Sequence, residues 1–153
     1  MYPSRAVIAI ALIAIILLLL LVHVLAHTVQ SPGFTFNNKT YAFTYIATTP
    51  AEWDSGLMNK TVGNNTFEIF VFPKPSIYPF WMKNTYYPLD MIWINGSKVV
   101  YVAHAIPCIS YSITQSNCTI YNLKYVADYV IEARSGFTNS TGLVVGSTVH
   151  IIT

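Results

Sequence analysis

Five side chains outside the apolar runs have types that can do chemistry. Lys83, Asn84 and Asp90 fall within the stretch "FWMKNTYYPLDMIWI" from Phe80 to Ile94, and His104 and Glu132 follow. A lysine, an amide, a carboxylate and an imidazole can bind a polar ligand or move a proton. Asp90 also has a structural reading. It stands just after Pro88, where its carboxylate can accept backbone N–H bonds from the bend around Asn84–Tyr87, with Lys83 covering the same charge. His104 and Asp90 would supply two members of a serine triad, but no serine is marked as the third. Nucleophile elbows, phosphate loops and dinucleotide fingerprints are absent. Catalytic residues are therefore not assigned, no cofactor is implied, and the five side chains stand as a candidate ligand-binding set.

Cys108 and Cys118 are the only cysteines. A zinc site would need His104 as a third ligand and a fourth from elsewhere, without the close ligand pairs such sites use. A blue-copper site lacks the neighbouring His or Met. An even pair on a short loop reads as one disulfide in an oxidising compartment, and no metal is expected. Six N-glycosylation sequons, at Asn38, Asn59, Asn64, Asn95, Asn117 and Asn139, point to the same side of the membrane. The net charge of +2 is spread thinly, so nucleic acid is excluded as a partner.

These residues need a scaffold and a location. Of the 153 residues, 54% are hydrophobic and only 9% charged, well under the roughly 25% of a soluble domain. One segment, Ala6 to Ala26, explains much of the excess, with His23 its only polar side chain. About 20 helical residues span a bilayer core. The run exceeds the 7–15 apolar residues of a signal peptide, and "HVLAHT" is a poor cleavage site, so an uncleaved anchor is expected. A pilin-type leader cut after "SRA", leaving the helix as an assembly spine, is a second reading. Arg5 and the amino terminus place the N-terminus in the cytoplasm and the rest outside. Ala6, Ala9, Ala11 and Ala14 offer small side chains for helix contacts. Membrane lipid is thus an expected partner, and other subunits of a membrane or envelope complex a further one.

The division expected is an anchor at 1–27, a linker at 28–36 and an extracytoplasmic domain at 37–153. "KTYAFTYIAT" reads as one strand with Tyr41, Phe43 and Tyr45 on a face. Thr49, Pro50 and Glu52 read as a capping box opening a short helix that Gly56 ends. "FEIFVF" is a strand closed by "PKPSIYP". Asn95-Gly96 reads as a two-residue hairpin turn returning through "KVVYVAHA". "KYVADYVIEA" is a strand, "SGFTNSTG" a helical turn, and "LVVGSTVHII" the last strand. Six or seven strands with little helix predict a mainly β, α+β fold: a small, mostly antiparallel barrel or sandwich behind one transmembrane helix.

The order of motifs resembles the prokaryotic family called domain of unknown function 192. It is carried by "GLM" at Gly56–Met58, "IFVFP" at Ile69–Pro73, Phe80–Asp90, the Gly96 hairpin, Pro107-Cys108, "YVIEARSGF" at Tyr129–Phe137, and Gly142 with Gly146. The resemblance runs from about Phe34 to Ile152. It implies that anchored and secreted members occur, and it implies no biochemical function. Two positions depart from the family's habit. Lys60 stands where an arginine is usual, losing a bidentate donor, and Phe67-Glu68 stands where a Gly-Met pair is usual. Two function classes remain: a glycosylated binding or accessory subunit, and an enzyme or small-ligand binder with its site near Asp90.

Overall fold

The computed structural model describes residues 4–28, 31–108 and 118–152. The chain divides into two units, Met1–Ser31 and Pro32–Thr153. The first holds helix α1, Arg5–Thr28. Ser4 caps it, its Oγ accepting from the Val7 N–H at 3.4 Å. From Val7 to Val22 its apolar side chains are exposed all round, the pattern of a helix made for hydrocarbon. By length and composition it is able to cross a membrane, a property that anchors and signal sequences share.

The second unit is mostly β. One sheet has the order β2-β1-β8, built from β1 (Gly33–Phe36), β2 (Lys39–Ala42) and β8 (His150–Ile152). The other has the order β3-β4-β7-β5-β6, built from β3 (Tyr45–Ala47), β4 (Phe67–Ile77), β5 (Leu89–Asn95), β6 (Lys98–Ala105) and β7 (Val126–Arg134). Among the described strands only the β3–β4 pair is parallel. Two short helices, α2 (Pro50–Ser55) and α3 (Phe137–Thr141), complete it. The result is sandwich-like, and neither sheet closes into a barrel.

Side-chain alternation gives the large sheet two buried faces. Phe67, Ile69, Ile92, Ile94 and Ile131 pack with Phe34 and Phe36 of the small sheet and with Phe137. Phe70, Phe72, Met91, Trp93 and Val130 pack the other way, under Leu57, Val62, Phe80 and Met82. Both faces being covered explains why β5 is buried from Leu89 through Ile94.

Several expected elements differ in detail. "KTYAFTYIAT" is two strands in two sheets, because the chain crosses between them at Phe43 and Thr44, whose N–H groups bond Pro32 and Phe67 carbonyls. Tyr41 and Phe43 therefore line one core and Tyr45 the other. β1 lies inside the segment expected as linker. β4 continues through Pro73 and Pro75, with an irregular register between Val71 and Ser76 where prolines cannot donate. The hairpin loop is Gly96-Ser97, one residue later than expected. Asn95 stays paired with Lys98, and the positive φ falls on Gly96 at 60°. "LVVGSTVHII" contributes only the three residues of β8, because Gly146 turns at φ 90° before it. The capping box at Thr49 and the helical turn in "SGFTNSTG" form as expected. Cys108 and Cys118 are bridged, with Cα atoms 5.6 Å apart.

Candidate functional site

The strand register splits the five candidate side chains. Asp90 pairs with Ala133, while Glu132 pairs with Met91, so the two carboxylates point to opposite faces of the large sheet. Asp90 is wholly buried, but the Asn84–Tyr87 bend and Lys83 are not its partners. Its Oδ2 accepts from the Thr138 N–H and hydroxyl, both at 2.8 Å, and its Oδ1 meets His104 Nδ1 at 2.8 Å. A carboxylate from β5 thus caps the first turn of α3, where Gly136 has no side chain to do so. His104 lies on edge strand β6 and is largely exposed, with its ring nitrogen fixed by Asp90.

Lys83 extends over the Trp81 ring, 5.1 Å from its centre. Asn84 takes a left-handed conformation at φ 51°, and its backbone bonds the Cys108 and Asn59 backbones. These residues brace the disulfide segment. Of the sequons, Asn38, Asn59, Asn64, Asn95 and Asn139 are exposed, and Asn117 lies outside the described residues.

Glu132 belongs to a different site. A cavity of about 410 Å³ opens on the other face of the large sheet, and Glu132 is in its lining. Around it stand Trp53 of α2, Phe70 and Phe72 of β4, and Tyr78, Phe80 and Trp81 from the connection to β5. The rings hold one another. Phe72 and Tyr78 stack at 3.6 Å, Phe70 and Phe80 meet edge-on at 4.7 Å, and Trp53 lies 5.2 Å from Phe72. Hydrogen bonds fix them further. The Trp53 indole N–H donates to the Ala47 carbonyl at 3.1 Å, and that of Trp93 donates to the Tyr78 carbonyl at 2.9 Å.

The capping box sets α2 on this wall. Glu52 Oε2 accepts from the Thr48 and Thr49 N–H groups at 2.7 and 2.9 Å, which holds its carboxyl below the ordinary range. Gly56 then ends the helix at φ 43°. A Cβ there would stand 3.1 Å from Phe70 and 3.8 Å from Glu132 Oε2, so glycine lets the backbone close down on the cavity floor.

Glu132 sits directly opposite Glu68 in the β4–β7 register, and both are almost fully buried. Lys60 meets Glu68 Oε1 at 3.4 Å while its ammonium lies 4.0 Å above the Tyr45 ring. The second oxygen of each glutamate has no hydrogen-bond partner. Burial pushes the Glu132 carboxyl up to about 8, and the Glu68 charge adds to this, against attraction to Lys60 and a backbone bond from Leu57. Burial raises Glu68 as well, opposed by Lys60. Near neutral pH Glu132 therefore carries a proton. A buried protonated acid beside an aromatic cavity can give up that proton to bind a cation, or donate a hydrogen bond. No group of three or more metal-binding side chains occurs among the described residues.

The sequence named Glu132 but not its neighbours. Lys60 and Glu68, read only as departures from a pattern, are the charged pair beside it. A signal existed: Glu68 and Glu132 each fall in an apolar strand run, two positions from Phe70 and Val130 on the same face.

Two solved structures share the fold. A protein of unknown function from Novosphingobium aromaticivorans is 27% identical, with a TM-score of 0.64 over 78% of this chain and 83% of that one. A Sinorhizobium meliloti protein with a provisional transcription-regulator designation is 24% identical, with a TM-score of 0.64 over 78% and 91%, a likeness that shows the fold alone. No curated protein matches the chain. The match to a family model covers residues 35–151, which takes in both sheets but for two residues of β1 and one of β8, together with the aromatic cavity. The chain belongs to the family called domain of unknown function 192, described as Uncharacterized ACR.

Proposed function

We propose that this protein is a membrane-tethered, extracytoplasmic domain that binds a small organic molecule in the cavity over Glu132. One observation carries the reading: an aromatic-walled cavity whose lining includes a buried carboxyl group with an unpartnered oxygen. Ligand sites combine largely apolar walls with a few fixed polar groups, and about 410 Å³ is within their usual size. Asp90 and His104 line neither this cavity nor a second one of about 300 Å³ bounded by Asn64, Arg134, Gly136 and Ser140, which moves the ligand-site reading away from them. The cavity also ranks this reading ahead of an accessory-subunit role, the first reading from sequence.

Export is supported by the apolar helix, the Cys108–Cys118 bridge and the five exposed sequons. Glycan on those asparagines and an N-terminus in the cytoplasm are part of the proposal. Protease added to intact cells should remove the domain and spare the helix; a protected domain would end the export reading. For the site, a fragment screen by NMR on the full chain in micelles should return binders that shift the Trp53 and Trp81 indole signals. A screen whose hits move neither indole would end the ligand-site reading.

A further inference from the structure

We propose that the cavity over Glu132 selects an organic cation: an ammonium or guanidinium group with N–H donors, carried on an aromatic or apolar body. This deepens the ligand-site reading above and rests on it. Three observations point to this class. Among the described residues, the charged side chains lining the cavity are Asp54 and Glu132, both acidic, with no lysine, arginine or histidine. The walls present the rings of Trp53, Phe72, Tyr78, Phe80 and Trp81, whose faces attract cations and exclude water. Glu132 Oε2 is buried, unpartnered and close to the Gly56 backbone in the cavity floor, so it is a ready acceptor for an N–H donor.

The surrounding charges support a cation over an anion. Facing Glu132 are Glu68 from β4 and Lys60 from the segment after α2, already joined to each other. Asp54 lies at the cavity from α2, and Glu52 on the same helix is occupied by its own cap. Met91 faces it from β5. With Lys60 balancing Glu68, ionised Glu132 has no counter-charge of its own. An incoming cation would complete two ion pairs, whereas an anion would meet two acids.

Binding then carries a proton balance. The empty site holds Glu132 as a neutral acid near neutral pH. A permanently charged ligand replaces that proton: Glu132–COOH and the cation give the carboxylate–cation pair and release one H⁺ to solvent. The affinity should rise by about tenfold per pH unit while Glu132 is protonated in the free protein, and level off above about pH 8. The dependence has the opposite sign for a neutral ligand that accepts the Glu132 proton in a hydrogen bond.

The test uses the full chain in detergent micelles and three probes of one shape: 2-phenylethylguanidinium, 2-phenylethanol and phenylacetate. Titration calorimetry between pH 6 and 9, in two buffers of different ionisation enthalpy, gives affinity and proton release together. The expected result is binding of the guanidinium, at least tenfold tighter than the alcohol at pH 8, with close to one proton released at pH 6.5 and no phenylacetate binding. Glu132→Gln should lose most of the guanidinium affinity and all of its pH dependence while keeping the alcohol. Should that variant fail to fold, the wild-type pH profile and proton count decide alone. Equal affinity for guanidinium and alcohol, flat with pH, would overturn the cation class and leave the cavity reading standing. Failure of all three probes to bind or to shift the Trp53 and Trp81 signals would overturn both.

Discussion

Removing the Asp90 carboxylate should destabilise the domain chiefly through α3. Asp90 and Thr138 are both almost wholly buried, and two bonds of 2.8 Å join the carboxylate to the Thr138 N–H and hydroxyl. Asp90→Ala leaves both donors without an acceptor, at a cost of about 1–3 kcal/mol each. The third bond, to His104, is worth less because the imidazole is 58% exposed and water competes for it. The sum for Asp90→Ala is about 2–6 kcal/mol, centred near 4, and the loss for His104→Ala is under about 1 kcal/mol. Thr138→Val, which removes one bond of the pair, should cost about 1–2 kcal/mol. For a domain of this size the first change lowers Tm by about 10–20 °C. Urea unfolding of the full chain in micelles, followed by tryptophan fluorescence, measures all three, since Trp93 is fully buried in the same sheet. The order Asp90→Ala, Thr138→Val, His104→Ala is the prediction. His104→Ala costing as much as Asp90→Ala would refute it, because the carboxylate would then serve the imidazole rather than the helix. Asp90→Asn should also leave cavity binding intact, since Asp90 lies on the opposite face of the sheet from Glu132.

Stability should fall as pH rises from about 5 to about 8, because folded Glu132 keeps its proton up to about 8 while the unfolded group loses it near 4.5. The folded state binds more protons in that window, so the slope is negative, at most about 1.4 kcal/mol per pH unit. Glu68, also raised, acts in the same direction, and Glu132→Gln should flatten most of the slope in urea midpoints taken across the window. Cys108→Ser with Cys118→Ser should cost about 3 kcal/mol for so short a loop, and a reducing agent should lower the wild-type Tm but not that of the variant. Gly56→Ala should cost about 1–2 kcal/mol, since its φ is 43° and its Cβ would press on Phe70 at 3.1 Å; a thermal melt checks it, and cavity affinity should drop with it.

Local chemistry was legible in the sequence where it depends on neighbours in the chain. Thr49, Pro50 and Glu52 announced their helix because every partner in a capping box lies within four residues. The disulfide was readable from two cysteines and a short loop. Pairing across strands was not. Asp90 and Glu132 looked alike as polar residues in apolar strands, but which face each takes depends on register, and register is set between strands. The donors that fix Asp90 to α3 are 48 residues away at Thr138, whereas the adjacent bend offers nearer donors that it does not use. Tyr45 continued the alternation of Tyr41 and Phe43 on paper, yet the crossover at Phe43 and Thr44 sends it to the other sheet. The cavity was hidden for the same reason. Its walls come from α2, β4 and the connection into β5, and no single stretch shows them together.

The Lys60–Glu68 pair constrains which substitutions this chain can accept, and in what order. Glu68 is buried directly across from Glu132, and Lys60, about a third exposed, is the cation that meets it. With a neutral residue at position 60, Glu68 would leave two facing buried carboxyl groups with no counter-charge, a state costing several kcal/mol out of a total stability of about 5–15. With Glu68 replaced by a neutral residue, Lys60 would remain a partly exposed ammonium lying on the Tyr45 ring, which the fold tolerates. The dependence between the two positions is therefore one-sided: Glu68 needs a cation at position 60, and Lys60 does not need Glu68. The positive charge is thereby locked in: a route to a neutral residue at position 60 must remove Glu68 first, and descendants of this sequence should lose Glu68 before they lose the cation at position 60.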